Sequence, residues 1–162
     1  MFGTLYYRDL FKCMQFLLAH LPLQVHLDFQ LVHLADSESH RIYCRRKTAD
    51  WGWNTQDQCP VGATIVPVIC ASNTTHLTNF SGNQHTWSLY LTIGNFRTDI
   101  HCTRKNWPLI LLGRIPYPPN GAKHTDKAWH SAVGIAVSPL WNLDITGPGL
   151  KWSCGDTFQR QF

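Results

Sequence analysis

Three short apolar segments follow one another in the middle of the chain, and they constrain the fold more than any other feature of the sequence. Residues 64–71 (TIVPVICA) form a continuous apolar run, which predicts a strand buried on both faces. Residues 88–94 (SLYLTIG) alternate between apolar and polar positions, and residues 107–116 (WPLILLGRIP) predict a third apolar strand. A helix is predicted over residues 126–137, with Thr125 as its N-cap.

This order of elements indicates the α+β fold class. Three strands in succession followed by a helix open the ribonuclease-H-like fold, and several other α+β folds begin in the same way. We therefore predict an incomplete ribonuclease-H-like domain, in which a three-stranded antiparallel start of a mixed sheet carries flanking helices. Because the parallel neighbours of such a sheet are missing, we also predict an unpaired sheet edge that promotes self-association.

The first third of the chain carries different patterns. Leucine and methionine recur at helical spacing in residues 8–20, and Pro22 ends that predicted helix. Residues 35–62 lose this periodicity. We interpret them as an ordered loop whose Trp51 and Trp53 pack onto the domain.

Composition favours a packed globular domain. The 162 residues are 44% hydrophobic and 15% charged, a balance that argues against intrinsic disorder and suits one domain of ordinary size. We predict an N-terminal segment of helix and loop over residues 1–62, packed on the first part of a ribonuclease-H-like domain over residues 63–162. The formal net charge of +4 permits a DNA partner without arguing strongly for one.

The sequence carries no export or membrane signal. The apolar stretch from Leu10 to Leu27 is interrupted by lysine, glutamine, histidine and proline, so it fits neither a signal peptide nor a membrane span. The six cysteines are widely spaced and match no zinc-binding template. We therefore expect an intracellular protein, nuclear or cytoplasmic, that is not secreted and has no membrane partner.

Few residues are arranged for catalysis. In ribonuclease-H-like nucleases the first strand presents a carboxylate that helps to hold two metal ions, and the corresponding position, after the strand at 64–71, is Asn73. A neutral amide is a weaker ligand for Mg²⁺, and on its own Asn73 is interpreted as a turn residue. The nine histidines form neither an HxxxH nor an HExxH motif, and no glycine-rich phosphate loop is present.

Two short basic segments are candidates for contact with nucleic acid. One lies between residues 97 and 105, directly after a predicted strand and close to Trp107, and the other spans residues 45–47. Either could meet phosphates, although short basic runs are more often solvated loops, so we predict DNA binding that is weak. The predicted DNA-binding residues are Arg97, Arg104, Lys105, Arg45, Arg46 and Lys47.

The most distinctive motifs lie between residues 63 and 100. They are Ser72-Asn73, Phe80-Ser81-Gly82, and a run that begins at Trp87 and ends with Ile93-Gly94-Asn95. This stretch resembles the Plavaka-type transposases of fungal mobile elements, relatives of the CACTA-type group. Their pattern is an apolar strand, Ser-Asp, Phe-Ser-Gly and then Trp-Pro-x-Tyr-Leu-x-Ile-Gly-Asn. The resemblance continues through PLILLGRIPYPP, DKAWHSAV and SPLWNLDITGPGLKWSCGD, and it also includes RDLFKCMQFLLAHLP and ADWGWNTQDQ upstream, so it covers nearly the whole chain.

The resemblance implies an ancestral activity of DNA cleavage and strand transfer with Mg²⁺ or Mn²⁺. The family's first metal-binding acid falls on Asn73, and its Trp-Pro pair is here Trp87-Ser88. The family sequence continues beyond Phe162 into a region that should supply the later catalytic residues, and Asp156 is the one further acid that we match. We therefore expect a truncated, catalytically inactive transposase-derived protein that requires no cofactor.

Two alternatives stay open at this point. The first is a domesticated module that binds DNA or another protein without catalysis. The second is a live metal-dependent nuclease that tolerates Asn73 or uses another acid such as Asp99. DNA binding that depends on the basic residues would favour the first alternative, and Mn²⁺-dependent cleavage would favour the second.

Overall fold

Helices and strands are interspersed along the chain. The computed structural model describes residues 4–44, 46–76, 85–101, 103, 107–116, 125–142, 149–151 and 157–161. The strands are β1 (Tyr6–Tyr7), β2 (Leu34–Ala35), β3 (Arg41–Ile42), β4 (Thr64–Ile65), β5 (Val68–His76), β6 (His85–Ile93), β7 (Ile110–Pro116), β8 (Gly149–Lys151) and β9 (Thr157–Gln161). The α-helices are α1 (Leu10–Ala19), α2 (Leu21–Gln24), α3 (Asp50–Asp57), α4 (Thr98–His101) and α5 (Thr125–Val137). This mixture, with a sheet that contains antiparallel pairs, confirms the α+β class.

Residue contacts divide the chain into two compact units. The first comprises Met1–Leu17, Ile69–Thr92 and Leu109–Asn142, and the second comprises Leu18–Val68, Ile93–Pro108 and Leu143–Phe162. Each unit combines segments that are distant in sequence. The division predicted between residues 62 and 63 stays a prediction.

The first unit contains a four-stranded sheet in the order β1-β7-β6-β5. Strands β6 and β7 are antiparallel, with Trp87 opposite Ile115, and a bulge shifts their register between Leu89 and Tyr90. Strand β1 joins the far side of β7 and also runs antiparallel to it. Strands β5, β6 and β7, which follow one another in the sequence, are therefore also adjacent in the sheet, and β1 adds a fourth strand.

Apolar side chains of α1, β6 and β7 are the most deeply buried in this unit. The fully buried ones are Leu10, Met14, Leu17, Leu89, Leu91, Leu112 and Ile115. Helix α5 contacts β7 and buries Ala132 and Ala136, which lie one turn apart. Because alanine side chains are small, this face lets the helix axis come close to its neighbours.

Strand β1 reaches β7 at a glycine. A Cβ atom placed on Gly113 would lie 2.9 Å from the carbonyl oxygen of Tyr6, which is closer than carbon atoms normally come to a backbone oxygen. Next to it, the backbone N–H of Arg8 donates to the carbonyl of Leu112 at 2.8 Å. The short edge strand can therefore sit here because residue 113 carries no side chain.

The second unit holds two smaller sheets. Strands β2 and β3 form an antiparallel pair, and a three-stranded sheet has the order β4-β9-β8, with β4 parallel and β8 antiparallel to β9. Helix α3 contacts β4. The buried apolar side chains of this unit include Leu18, Leu23, Ile65, Val66, Phe96 and Ile100.

The continuous buried strand predicted over residues 64–71 is wrong. Pro67 interrupts it, because proline has no N–H to donate to a ladder, and two separate strands result, β4 and β5. Strand β4 pairs with β9 in the second unit, whereas β5 lies at one end of the described order of the four-stranded sheet. Residues 69–75 are all exposed, with Ile69 at 47% exposure. The apolar run predicted burial of both faces of this strand, but β5 is exposed from residue 69 to residue 75.

The ordered loop predicted over residues 35–62 is also wrong in part. It contains strand β3 and the eight-residue helix α3. Helix α3 has weak local signals, but Gly52 packs closely, since a Cβ placed on it would lie 3.0 Å from the side chain of Leu31. Trp53 is half-buried and stacks on the ring of His33 at 4.2 Å, whereas Trp51 is 55% exposed and does not pack as expected.

The two long helices were predicted close to their observed limits. The pattern over residues 8–20 gives α1, and the pattern over 126–137 gives α5, which begins one residue earlier at Thr125. Pro22 ends α1 as expected, but it also lies at the start of the short helix α2. Proline is tolerated there because the first N–H groups of a helix make no intrahelical hydrogen bond. No helix among the described residues is long and apolar enough to cross a membrane.

Candidate nucleic-acid interface

A cavity of about 510 Å³ opens in the second unit. Three segments distant in sequence line it: residues 25–30, the pair Arg46-Lys47, and residues 94–97. Three of its side chains are cationic, those of Arg46, Lys47 and Arg97, and one is acidic, that of Asp28. The cavity therefore combines both basic segments that the sequence singled out.

Backbone hydrogen bonds fix two of these segments against each other. Leu27 and Phe96 form an antiparallel bridge, the N–H of Asp28 donates to the carbonyl of Asn95 at 2.7 Å, and the N–H of Arg97 donates to the carbonyl of His26 at 2.9 Å. This short ladder places Asn95 opposite Asp28 and Arg97 opposite His26. The N–H of Gly94 donates to Pro67 at 2.7 Å, which holds the turn that follows β6.

Arg46 is held by the backbone of the cavity. Its Nε donates to the carbonyl of Gly94 at 3.2 Å, and its Nη2 lies 3.5 Å from the carbonyl of Asp28. Burial lowers the pKa of Arg46, and the nearby Asp28 carboxylate opposes that effect. Because an arginine keeps its proton in proteins, the guanidinium stays charged and joins the two walls of the cavity.

Lys47 forms an ion pair with Asp28. The Nζ of Lys47 lies 2.8 Å from Oδ2 of Asp28, and the two side chains are 34% and 27% exposed. The hydrogen bond from Lys47 lowers the pKa of Asp28 most, burial opposes it, and the N–H of Gln30, which donates to Oδ1 at 3.1 Å, lowers it further. Asp28 is therefore ionised at neutral pH and neutralises part of the charge of the cavity.

Arg97 occupies the outer part of the site. Its side chain is 57% exposed and lies 3.2 Å from Asp99, which is similarly exposed. Such a surface ion pair contributes little stability, so an incoming anion can compete with Asp99 for the guanidinium at low cost. With three cations facing one carboxylate, the lining keeps an excess of positive charge and favours anions.

Asn95 supports the cavity from behind. Its side chain is 1% exposed, and Nδ2 donates to the carbonyl of Ile65 at 3.1 Å. Its Oδ1 has no hydrogen-bond partner in the part of the chain that the structure describes. Asn95 thus ties the turn at residues 94–97 to strand β4.

The structure brings together three of the six predicted DNA-binding residues. Arg46, Lys47 and Arg97 line one cavity. The other three lie outside the described residues, and so does the possible catalytic acid: these are Arg45, Arg104, Lys105 and Asp156. Asp28 and Asn95 were missed as site residues. No motif or charge run marks Asp28, and Asn95 was noted only as part of the Ile93-Gly94-Asn95 motif.

Asn73 does not follow a strand end as predicted. It lies inside β5, which continues to His76, and it is exposed. The propensity of asparagine for turns is overridden here by pairing in the sheet, which the β-branched residues Thr74 and Thr75 favour. Within the described ranges, no group of three or more histidine, cysteine, aspartate or glutamate side chains could hold a metal ion.

Acidification is expected to remove the stability that the Asp28–Lys47 pair contributes. The folded-state pKa of Asp28 is lowered. The contribution is therefore present above the unfolded value of about 3.9 and is lost as the pH falls through the folded value. Urea unfolding of the wild type and of Asp28→Asn measures it, since asparagine retains an acceptor for Gln30. We expect Asp28→Asn to be less stable at neutral pH and the difference to shrink in acid; a difference independent of pH would contradict the assignment.

Comparison with known proteins identifies the lineage. The sequence profile of the Plavaka family, described as Plavaka transposase, matches residues 3–160, which is nearly the whole chain. No curated protein matches the sequence, and no solved structure matches the fold. The resemblance read from the motifs between residues 63 and 100 is thereby confirmed, and the chain belongs to the Plavaka transposase family.

Proposed function

We propose that this transposase-derived protein binds DNA phosphates in the basic cavity and does not itself cut DNA. The observation that supports binding is the convergence of Arg46, Lys47 and Arg97 at one cavity, although Lys47 and Arg97 are fifty residues apart in sequence. Solvated basic loops have no reason to meet. A cluster built by a backbone ladder and an interior arginine is more specific than either basic run alone.

The chemistry of the lining suits phosphate. Arginine presents several donors in a planar fork that matches phosphate oxygens, and lysine adds a compact charge with three donors. Lys47 uses one of its three donors on Asp28, and among the described residues the side chain of Arg97 pairs with the exposed Asp99, so donors of both side chains can turn to an anion. Binding would release counterions from DNA and should therefore weaken as salt concentration rises.

Replacement of the outer cations tests the proposal. For Lys47→Ala and for Arg97→Ala, we expect weaker binding to duplex DNA of any sequence, and the slope of log K against log salt should fall by about 1 for each variant. Fluorescence anisotropy of a labelled duplex over a series of salt concentrations measures both quantities. Lys127→Ala is the matched control, because Lys127 is an exposed lysine on α5 in the other unit. Equal losses in Lys127→Ala and Lys47→Ala would show that binding reflects net charge alone.

The proposal of inactivity rests on Asn73. A two-metal site needs anionic oxygen ligands at the first strand, and an amide oxygen at this position would bind Mg²⁺ or Mn²⁺ weakly. We propose that β5, β6 and β7 correspond to the first three strands of a ribonuclease-H-like sheet, supported by their order and by the antiparallel β6–β7 pair. In that alignment Asn73 stands on the first strand, where the family's acid is expected.

A nicking assay tests inactivity. Supercoiled plasmid incubated with the wild-type protein and Mg²⁺ or Mn²⁺ is expected to stay supercoiled, because one metal ligand is neutral. Mn²⁺-dependent nicking that disappears in Asp99→Asn or Asp156→Asn would overturn the proposal and favour a live nuclease. Nicking that persists in both variants would point to a contaminating nuclease. The control variant Lys127→Ala, which changes no candidate catalytic residue, would then nick the plasmid as well.

A further inference from the structure

The cavity has the size of a small-ligand site. At about 510 Å³ it falls within the range of about 300–1,000 Å³ in which proteins bind small molecules. A sphere of that volume is about 10 Å across, which is smaller than the diameter of a DNA duplex. A double helix can therefore bring a backbone phosphate to the cations of the cavity, but only a smaller ligand can fill the cavity.

The three cations of the cavity differ in exposure and in their contacts. Arg97 is the most exposed, with 57% of its side chain accessible, Lys47 is 34% accessible, and Arg46 is half-buried with its guanidinium bonded to the backbone of both walls. A phosphate on the side of a duplex reaches Arg97 readily. A phosphate at a chain end or on a free nucleotide can approach Arg97 and Lys47 together and presents three free oxygens to them.

Polar and apolar groups in the lining suit the rest of a nucleotide. Gln30 offers an exposed amide, and Val25, Leu27 and Phe96 supply apolar surface. A simple inorganic anion would leave most of the volume unfilled. We infer that the cavity takes one nucleoside phosphate, either free or at the phosphorylated end of a DNA strand, with its phosphate between Lys47 and Arg97. This inference rests on the proposed function, since it names which part of a DNA molecule the site holds.

The charge of the ligand supports a terminal phosphate. A phosphate monoester carries about −1.5 to −2 charges at neutral pH and has three free oxygens, whereas a phosphodiester within a strand carries one charge. Lys47 already contacts Asp28 at 2.8 Å, so a ligand at its ammonium competes with that carboxylate. A doubly charged group competes with a carboxylate for the ammonium better than a singly charged one does.

Anisotropy with three labelled probes tests the inference. The probes are a 5′-phosphorylated tetrathymidylate, the same oligonucleotide with a 5′ hydroxyl, and a hydroxyl-ended duplex, all at one salt concentration. We expect the phosphorylated strand to bind about tenfold or more tightly than the other two. Lys47→Ala should remove that preference, and Lys127→Ala should leave it unchanged.

Unlabelled thymidine 5′-monophosphate then separates the two sources of the ligand. If it displaces the phosphorylated strand at a concentration near the strand's own dissociation constant, the site holds a free nucleotide. If it is about tenfold or more weaker, the site holds a strand end. Either result supports the inference when Lys47→Ala abolishes the binding.

Other outcomes overturn the inference and can be told apart from failure of the proposed function. Equal binding of all three probes that still depends on Lys47 and Arg97 would leave DNA binding intact but show that no terminal phosphate is selected. Binding of the monophosphate alone, without binding of any DNA probe, would uphold the inference about the cavity and remove DNA as its partner. Failure of every probe and of the monophosphate would overturn both.

Discussion

Arg46→Ala is expected to lose DNA binding by more than about tenfold and to lower the free energy of unfolding by about 1–3 kcal/mol. The first effect follows from the loss of one of the three cations of the cavity, together with its contacts to the backbone of the cavity. The second follows from two backbone carbonyls, those of Gly94 and Asp28, that lose a charged donor in a half-buried position. Anisotropy with a labelled duplex and urea unfolding measure the two effects separately.

Arg46→Lys is the informative companion of this variant. Lysine keeps the charge but has one nitrogen, so it cannot join the carbonyls of Gly94 and Asp28 as the guanidinium fork does. We expect Arg46→Lys to recover part of the DNA affinity and little of the stability. Full recovery of both would show that charge alone matters at this position, and the role of Arg46 in holding the cavity walls would then be wrong.

Leu112→Ala is expected to lower the free energy of unfolding by about 2–5 kcal/mol. Leu112 lies on β7 and has 0% exposure, and β7 pairs with both β1 and β6. Replacing its isobutyl group by a methyl group would leave a space that the close-packed neighbouring side chains fill only in part. Urea or thermal unfolding monitored by circular dichroism measures the change.

Leu21→Ala is the matched control for this prediction. Leu21 is 69% exposed, so the same chemical change removes little buried surface and should cost less than about 0.5 kcal/mol. If Leu112→Ala were no more destabilising than Leu21→Ala, the four-stranded sheet would not form the core of its unit. DNA binding by Leu112→Ala at a temperature where it remains folded should equal that of the wild type, because Leu112 lies outside the cavity.

Family membership was available from the sequence because it depends on an ordered set of motifs rather than on geometry. The run from Trp87 to Asn95 carries it, and two residues of that run, Gly94 and Asn95, turn out to line the cavity. The packing around Gly94 and Asn95 explains why these residue types suit the two positions. A Cβ on Gly94 would lie 3.2 Å from the ring of Pro67, and Asn95 binds the carbonyl of Ile65.

Self-association through an unpaired edge stays a prediction. Strand β5 gives it a concrete location, because residues 69–75 are exposed and carry no charge that would oppose pairing with another strand. The alternative of a domesticated binding module is compatible with the same cavity, since DNA binding requires no metal site. The assays of binding and nicking above separate these readings.

Local sequence determined the long helices, two of the three central strands and the lineage. Helices α1 and α5 follow from periodicity and from proline, and β6 and β7 follow from apolar patterning, because these signals act over a few residues. Tertiary structure decided the rest. Strands β4 and β5, which Pro67 separates, pair in different sheets, and Gly52 of α3 packs closely against Leu31. The cavity depends on a ladder between residues 26–28 and 95–97, and contacts across such sequence distances are fixed only when the chain folds.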